Sequence, residues 1–169
     1  MLVEDIMTRD IVSVSMDDTL AWVKRIFDEK DFHHVVVTEE GEPVGVVSDR
    51  DLLRNVSPFI GKMAERDIDV HTLSRKVHQI MTRDLVTIGP AESLCNALAK
   101  LVENRVHCLP VVTDKRCVGI LTQSDILRWC YGHLGCDLPD GERPVLARPG
   151  EEIRDVPAED DLGPASDAA

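Results

Sequence analysis

Aromatic side chains are scarce in this chain: two tryptophans, one tyrosine and three phenylalanines among 169 residues. The apolar fraction is still 43 %, that of an ordinary globular protein, so the core must be built from Val, Ile and Leu. No apolar stretch approaches the roughly 20 residues that span a bilayer. The opening residues, MLVEDIMTRD, carry acids where a secretory leader needs bases. These absences lead us to expect a cytoplasmic protein with no membrane partner.

Positive charge is also lacking. The formal net charge is −12, which does not make the electrostatic footprint of a nucleic-acid binder. The charge is unevenly placed: residues 137–169 hold ten acids and three bases, or −7, which leaves −5 for residues 1–136. That last stretch also holds five of the nine prolines and no aromatic residue. Such a composition cannot bury enough apolar surface to offset its ordering entropy, so residues 132–169 read as a disordered acidic tail.

Cys95, Cys108, Cys117, Cys130 and Cys136 form no CxxC pair. A zinc site is therefore not expected, and the thiols read as buried and reduced. Neither a GxSxG elbow, nor a P-loop, nor a GxGxxG turn, nor an HExxH helix occurs. The expectation is a protein that is not an enzyme, with no metal and no obligatory cofactor.

What is present is a repeat. Sliding the sequence by 74 aligns residues 3–54 with 77–128 without a gap, and 16 of the 52 pairs are identical. Ile6-Met7-Thr8-Arg9-Asp10 returns as Ile80-Met81-Thr82-Arg83-Asp84, and Asp51, Leu53 and Arg54 return as Asp125, Leu127 and Arg128. In each copy IVSVS or LVTIG reads as a strand. Asp18-Thr19 and Glu92-Ser93 then offer N-caps. Leu20, Val23 and Phe27, matched by Leu94, Ala97 and Leu101, follow at helical spacing.

HVVVT and CLPVV read as second strands, EEGEP and TDKRC as turns, and VGVVS and VGILT as third strands. DRDLLRNV and QSDILRWC start second helices. The order is β-α-β-β-α per copy, an α/β (α+β) fold with two repeats packed in pseudo-twofold symmetry. Residues 1–56 form the first repeat and 77–131 the second. Pro58 and Gly61 break helical continuity in the connector 57–76, which reads as partly helical and packed across the repeats. Units of about 50 residues are too small to be comfortable alone, so the two should share a core.

A start like DIMTRDIVSV, an amphipathic helix, then RVHCLPVV and VGILTQSDIL resembles a CBS (cystathionine β-synthase) domain. Two in tandem form the pair often called a Bateman module, and the resemblance covers residues 3–131. It implies a β-α-β-β-α fold with two clefts, adenosine-containing ligands such as AMP, ADP, ATP or S-adenosylmethionine, and regulation of another protein. It also implies pairing with a second copy, and the helices beginning DLLRNV, DILRWC and LAWVKRIF offer apolar faces for a homodimer.

Two readings compete at Ser48-x-x-Asp51 and Thr122-x-x-Asp125. A hydroxyl residue followed three positions on by an acid suits a helix start and complements the helix dipole. A carboxylate at a strand-to-helix turn can equally accept hydrogen bonds from both hydroxyls of a ribose, while the first helical N–H groups meet a phosphate. The resemblance implies that Ser48, Asp51, Thr122 and Asp125 contact nucleotide. It further places Thr8 and Thr82 before the first strands, Val12 and Val86 against adenine, and His33 and His107 near phosphates.

In that scheme Asp51 works with Thr82, Val86 and His107, and Asp125 with Thr8, Val12 and His33. The histidines also suit plain packing beside a strand. A metal between His33 and His34 is disfavoured, because strand neighbours face opposite ways. Pro110 fits the LPVV pattern, whereas Val36 replaces that proline in the first copy. The clefts read as unequal, because Arg50 beside Asp51 can pair with phosphate and Ser124 beside Asp125 cannot. His34 is likewise matched by Cys108. A multiply charged ligand should prefer the Asp51 cleft, and AMP, adenosine or S-adenosylmethionine the other. The leading expectation is a nucleotide sensor of unknown regulated partner; the alternative is a ligand-free adaptor for protein contacts.

Overall fold

A computed structural model of the chain describes residues 1–30 and 33–133. Cys136 and most of the expected acidic tail lie outside the described residues. The chain divides into two compact units, and each is built from the body of one repeat plus the leading segment of the other. One contains Met1–Ile11, Glu40–Pro43 and the described chain from residue 84; the other contains the described parts of Val12–Glu39 together with Val44–Arg83.

The unit carrying the first repeat's body contains strand β1 (Ser13–Val14), helix α1 (Leu20–Glu29), strand β2 (His34–Glu39), most of strand β3 (Glu42–Ser48) and helix α2 (Asp49–Asn55). Its sheet has the order β1-β2-β3, with β1 parallel to β2 in the register Ser13 to Val36 and Val14 to Val37. Helix α1 starts where the sequence offers a cap: Thr19 Oγ1 accepts the Trp22 N–H at 3.3 Å. Its apolar face buries Leu20, Val23 and Ile26 against Val35, Val37 and Val47. Each such side chain contributes roughly 1.5–3 kcal/mol on leaving water.

The connector in this unit is partly helical, with α3 (Asp67–His71) followed by a 3₁₀ turn, Thr72–Ser74. Asp69 is buried there and ties the segment together. Ser57 Oγ donates to its Oδ1 at 2.7 Å and the Arg66 N–H donates to its Oδ2 at 3.0 Å. The Ser57 hydroxyl, helped by the Arg66 N–H and guanidinium, holds its carboxyl below the usual range against the opposing effect of burial.

The other unit contains α4 (Leu94–Asn104), β4 (Cys108–Thr113), β5 (Arg116–Thr122) and α5 (Gln123–His133). Ser93 caps α4 by accepting the Asn96 N–H at 3.1 Å. Leu94, Ala97 and Leu101 bury against Leu109, Val111 and Leu121, with Val3 and Met7 from the chain's start filling the same core. Strands β4 and β5 pair antiparallel, Cys108 opposite Thr122 and Leu109 opposite Leu121, with an irregularity after Val111. Both hairpins turn on two residues of positive φ, Glu40 and Gly41 in one and Asp114 and Lys115 in the other. That turn geometry matches the right-handed twist of the flanking strands.

One expected element is not a strand. The stretch LVTIG makes only a single parallel bridge, Ile88 to Val111, at the register that Val14 and Val37 occupy in the first copy. The Ile88 N–H donates to the Pro110 carbonyl at 3.1 Å and Val112 N–H to the Ile88 carbonyl at 2.9 Å. A further rung at position 110 would need a backbone N–H that proline lacks. Val36, which stands there in the first copy, has one, and β1 is correspondingly a two-residue strand.

Candidate functional site

The leading segments bring each threonine to the unit that holds the aspartate of the other repeat. The Thr8 N–H donates to the Ile120 carbonyl at 2.9 Å, and Ile120 N–H donates back to Thr8 at 2.9 Å. In the other unit Val46 and Thr82 exchange the same two bonds at 3.1 and 2.9 Å. Glycine permits this approach. A Cβ at Gly119 would stand 2.8 Å from the Thr8 carbonyl oxygen, and one at Gly45 3.2 Å from that of Thr82 and 2.7 Å from Met81 Sδ.

Both hydroxyl–aspartate turns form reciprocal caps. Asp51 Oδ2 accepts the Ser48 N–H at 3.0 Å and the Ser48 hydroxyl at 2.6 Å, while Ser48 Oγ accepts the Asp51 N–H at 3.2 Å. Asp125 Oδ2 accepts the Thr122 N–H at 2.8 Å and the Thr122 hydroxyl at 2.6 Å, and Thr122 Oγ1 accepts the Asp125 N–H at 3.2 Å. The capping chemistry read from sequence is therefore present twice, with Asp in the place that Glu or Gln usually fills.

The second carboxylate oxygen separates the two turns. Asp125 is buried, and its Oδ1 accepts the Thr8 hydroxyl at 3.3 Å and Arg128 Nη1 at 3.1 Å. Asp51 is half-buried, and its Oδ1 has no hydrogen-bond partner among the described residues, yet it is not shut away from solvent. Thr82 is exposed. Its hydroxyl makes no hydrogen bond to Asp51.

The remaining expected residues fall as follows. Arg50 and Ser124 are exposed on the first turns of α2 and α5. Val12 and Val86 are half-buried, each packed against the core of its own unit. His33 Nδ1 lies 3.1 Å from Asp49 Oδ2, and His107 Nδ1 lies 3.1 Å from Gln123 Oε1. The same imidazole position therefore faces a carboxylate in one copy and a neutral amide in the other. Val86 and His107 belong to the unit of Asp125, and Val12 and His33 to that of Asp51.

Burial pushes the Cys108 thiol up to about 12 and raises that of Cys117 as well, which disfavours their thiolates; of the thiols expected to be buried, Cys95 is instead exposed. Among the described residues no group of His, Cys, Asp and Glu could hold a metal ion, and no helix is long and apolar enough to cross a membrane. Sequence reasoning missed Arg128. Its signal was the three-residue spacing from Asp125, which puts the two side chains on one face of a helix. It also missed a surface cavity of about 330 Å³ on the connector, lined by Asp67, Val70, His71 and Ser74.

Comparison with known proteins gives this geometry a family. The CBS domain model matches residues 3–58 and again residues 77–132. A CBS domain-containing protein of Dictyostelium discoideum is 31 % identical over 129 residues, covering 75 % of this chain and 88 % of its own length. Three longer Methanocaldococcus jannaschii proteins also match, and the chain spans only 31 %, 40 % and 46 % of their lengths.

Among solved structures, a candidate acetoin utilization protein (AcuB) of Vibrio cholerae superposes with a TM-score of 0.66 at 26 % identity, over 79 % of this chain and 93 % of that one. The CBS domain pair of protein MJ0100, solved with 5′-methylthioadenosine and S-adenosyl-L-methionine, shares the fold at a TM-score of 0.63 and 23 % identity, over 78 % and 97 % of the two chains. Two family matches, a 74-residue internal offset and a fold shared with CBS pairs have one reading: this chain belongs to the CBS domain family, as a tandem pair.

Proposed function

We propose that this chain is a non-catalytic regulatory module of the cytoplasm that binds an adenosine-containing ligand, such as AMP, ADP, ATP or S-adenosylmethionine. The observation that carries the reading is the doubled hydroxyl–aspartate turn, with Asp51 Oδ1 left without a donor among the described residues. A carboxylate held by a cap through one oxygen keeps the other to accept a ribose hydroxyl. Ser48, Asp51 and Thr82 would hold ligand in one unit and Thr122, Asp125 and Thr8 in the other. Arg50 favours additional phosphates at the first and Ser124 a less charged ligand at the second. Val12 and Val86 as adenine contacts, with His33 and His107 as phosphate contacts, complete the assignment. The bound adenosine compounds of the related CBS pair support this class of ligand.

The domains of this reading are residues 1–56 and 77–131, joined by 57–76. The module pairs with a second copy through exposed apolar positions on two of the expected helices, Leu53 on α2 and Leu127 on α5; the apolar face of α1, with Leu20, Trp22, Val23 and Ile26, is instead buried in the core of its own unit. Light scattering at micromolar concentration should report twice the mass of one chain, and a monomer would reject the pairing.

Calorimetric titration with adenosine, AMP, ATP and S-adenosylmethionine tests the ligand. Asp51→Asn leaves the N-cap residue Ser48 in place and keeps a side-chain carbonyl that can accept the Ser48 N–H, so stability should move by less than about 1 kcal/mol. Affinity at that site should fall by roughly 1.5–3 kcal/mol through loss of a charge-assisted hydrogen bond. Wild-type affinity in an Asp51→Asn/Asp125→Asn double variant would reject the site. No binding by the unsubstituted protein would favour the adaptor, a reading that the fully satisfied Asp125 carboxylate supports on its own.

A further inference from the structure

We propose that Arg128, with Thr8, sets the order in which the two sites fill, by occupying in the free protein the carboxylate oxygen that a ribose would need at Asp125. The inference rests on the nucleotide reading above and goes beyond it. A carboxylate offers about four acceptor directions. At Asp125 four donors use them: the Thr122 N–H, the Thr122 hydroxyl, the Thr8 hydroxyl and Arg128 Nη1, at 2.8, 2.6, 3.3 and 3.1 Å. Two of these belong to the cap, which the Asp51 turn shares. The other two are what the Asp51 turn lacks.

Composition does not cause this difference. Thr82 and Arg54 stand at the positions of Thr8 and Arg128, 74 residues away, and are identical to them. Arg54 is exposed and forms no ion pair among the described residues. The difference lies in the helices. Helix α2 ends at Asn55, so Arg54 sits in its last turn, where the free carbonyls attract a cation. Asn55 there bonds the Asp51 carbonyl at 2.8 Å and accepts Arg75 Nη1 at 2.9 Å. Helix α5 runs on to His133, so Arg128 lies in mid-helix with Asp125 three residues before it as its neighbour on the same face.

The Arg128 side chain is 41 % exposed while that of Asp125 is 7 % exposed. The guanidinium can therefore swing into water, whereas the aspartate cannot follow. A ribose entering at Asp125 must displace this donor, and the apparent affinity falls by the fraction of time the carboxylate is uncovered. The Asp51 site carries no such handicap and takes ligand first. The displaced Arg128 remains beside the site as a cation for a phosphate.

The test uses the whole chain, with adenosine and AMP as probes. Arg128→Met keeps the stem and removes the donors. Titration calorimetry should then show the weaker site tightening for adenosine, about three- to tenfold, the scale of an exposed-to-half-buried ion pair. The gain for AMP should be smaller, since the cation is lost. Arg54→Met, the control, should leave both sites unchanged. Without any ligand, ¹⁵N NMR should show restricted rotation of the Arg128 guanidinium but not of Arg54, and Asp125→Asn should make them alike.

Two-site binding that Arg128→Met leaves unaltered, or a guanidinium as mobile as that of Arg54, overturns this inference while the nucleotide reading stands. Absence of binding by both the unsubstituted chain and Arg128→Met overturns the nucleotide reading, and the ligand role of Arg128 falls with it.

Discussion

Asp51 and Asp125 stand in turns built from the same parts at the same offset, yet one carboxylate is half used and the other is saturated. Both cap a helix with one oxygen. Only Asp125 also collects a threonine hydroxyl and a guanidinium with the other. An internal repeat therefore duplicates the ingredients of a site without duplicating its bonding. How far each helix continues, and how deep each aspartate lies, decide what those ingredients do.

The largest expected effect sharpens that contrast through stability. Asp125→Ala removes the centre of a buried four-donor network and leaves Thr8 and Arg128 without their acceptor. Arg128 can turn to water, so no buried charge is stranded; the lost cap, the lost Thr8 hydrogen bond and the lost half-exposed ion pair together cost about 2–3 kcal/mol. Asp51→Ala should cost about 1 kcal/mol, the value of a cap alone. Denaturant unfolding of both variants measures the gap. Equal losses would mean that the extra donors contribute nothing.

A smaller effect probes the close approach of each leading segment. Gly119→Ala sets a methyl group 2.8 Å from the Thr8 carbonyl oxygen, a backbone atom that cannot swing away. Overpacking of this kind costs about 1–3 kcal/mol. At Gly45 the nearest atom is the flexible Met81 Sδ and the backbone oxygen is 3.2 Å away, so Gly45→Ala should cost less than Gly119→Ala. Thermal melts that rank them the other way would contradict the tighter docking of Thr8.

The smallest effect is an acid response for which each unit holds one carboxylate. Asp69, in the connector, and Glu92, before α4, both have carboxyls held below their usual ranges, Asp69 chiefly by the Ser57 hydroxyl and Glu92 chiefly by the Gly89 N–H. A depressed carboxyl contributes stability that is present above its unfolded-state value. That stability is lost as pH falls below about 4, where the unfolded chain binds more protons. Amide protection at residues 66–72, taken relative to the intrinsic exchange rate at each pH, should fall on moving from pH 5 to pH 3, and Asp69→Asn should remove that response. Unchanged connector protection down to pH 3 would show that the carboxylate does not hold it.

Much of this was legible along the chain. The 74-residue offset, the caps at Thr19 and Ser93, and the buried faces Leu20-Val23 and Leu94-Ala97-Leu101 follow from local rules, because caps and helical spacing act over a few residues. The capping geometry of both aspartates was equally legible, since a three-residue spacing is closed by its own backbone. The reduction of LVTIG to a single bridge was only half legible: Pro110 was visible, but its consequence depends on which residue pairs beside it.

The exchange of leading segments, which seats Thr8 on β5 and Thr82 on β3, pairs residues more than 30 positions apart, and no local pattern encodes such a pairing. The saturation of Asp125 is of the same kind, because the Thr8 hydroxyl arrives from 117 positions away. The sequence by itself thus determined the family, the doubled motif and the chemistry available at each aspartate. Only the tertiary structure decided which oxygen is spoken for, because a hydrogen bond between distant residues forms only where packing brings donor and acceptor within about 3 Å.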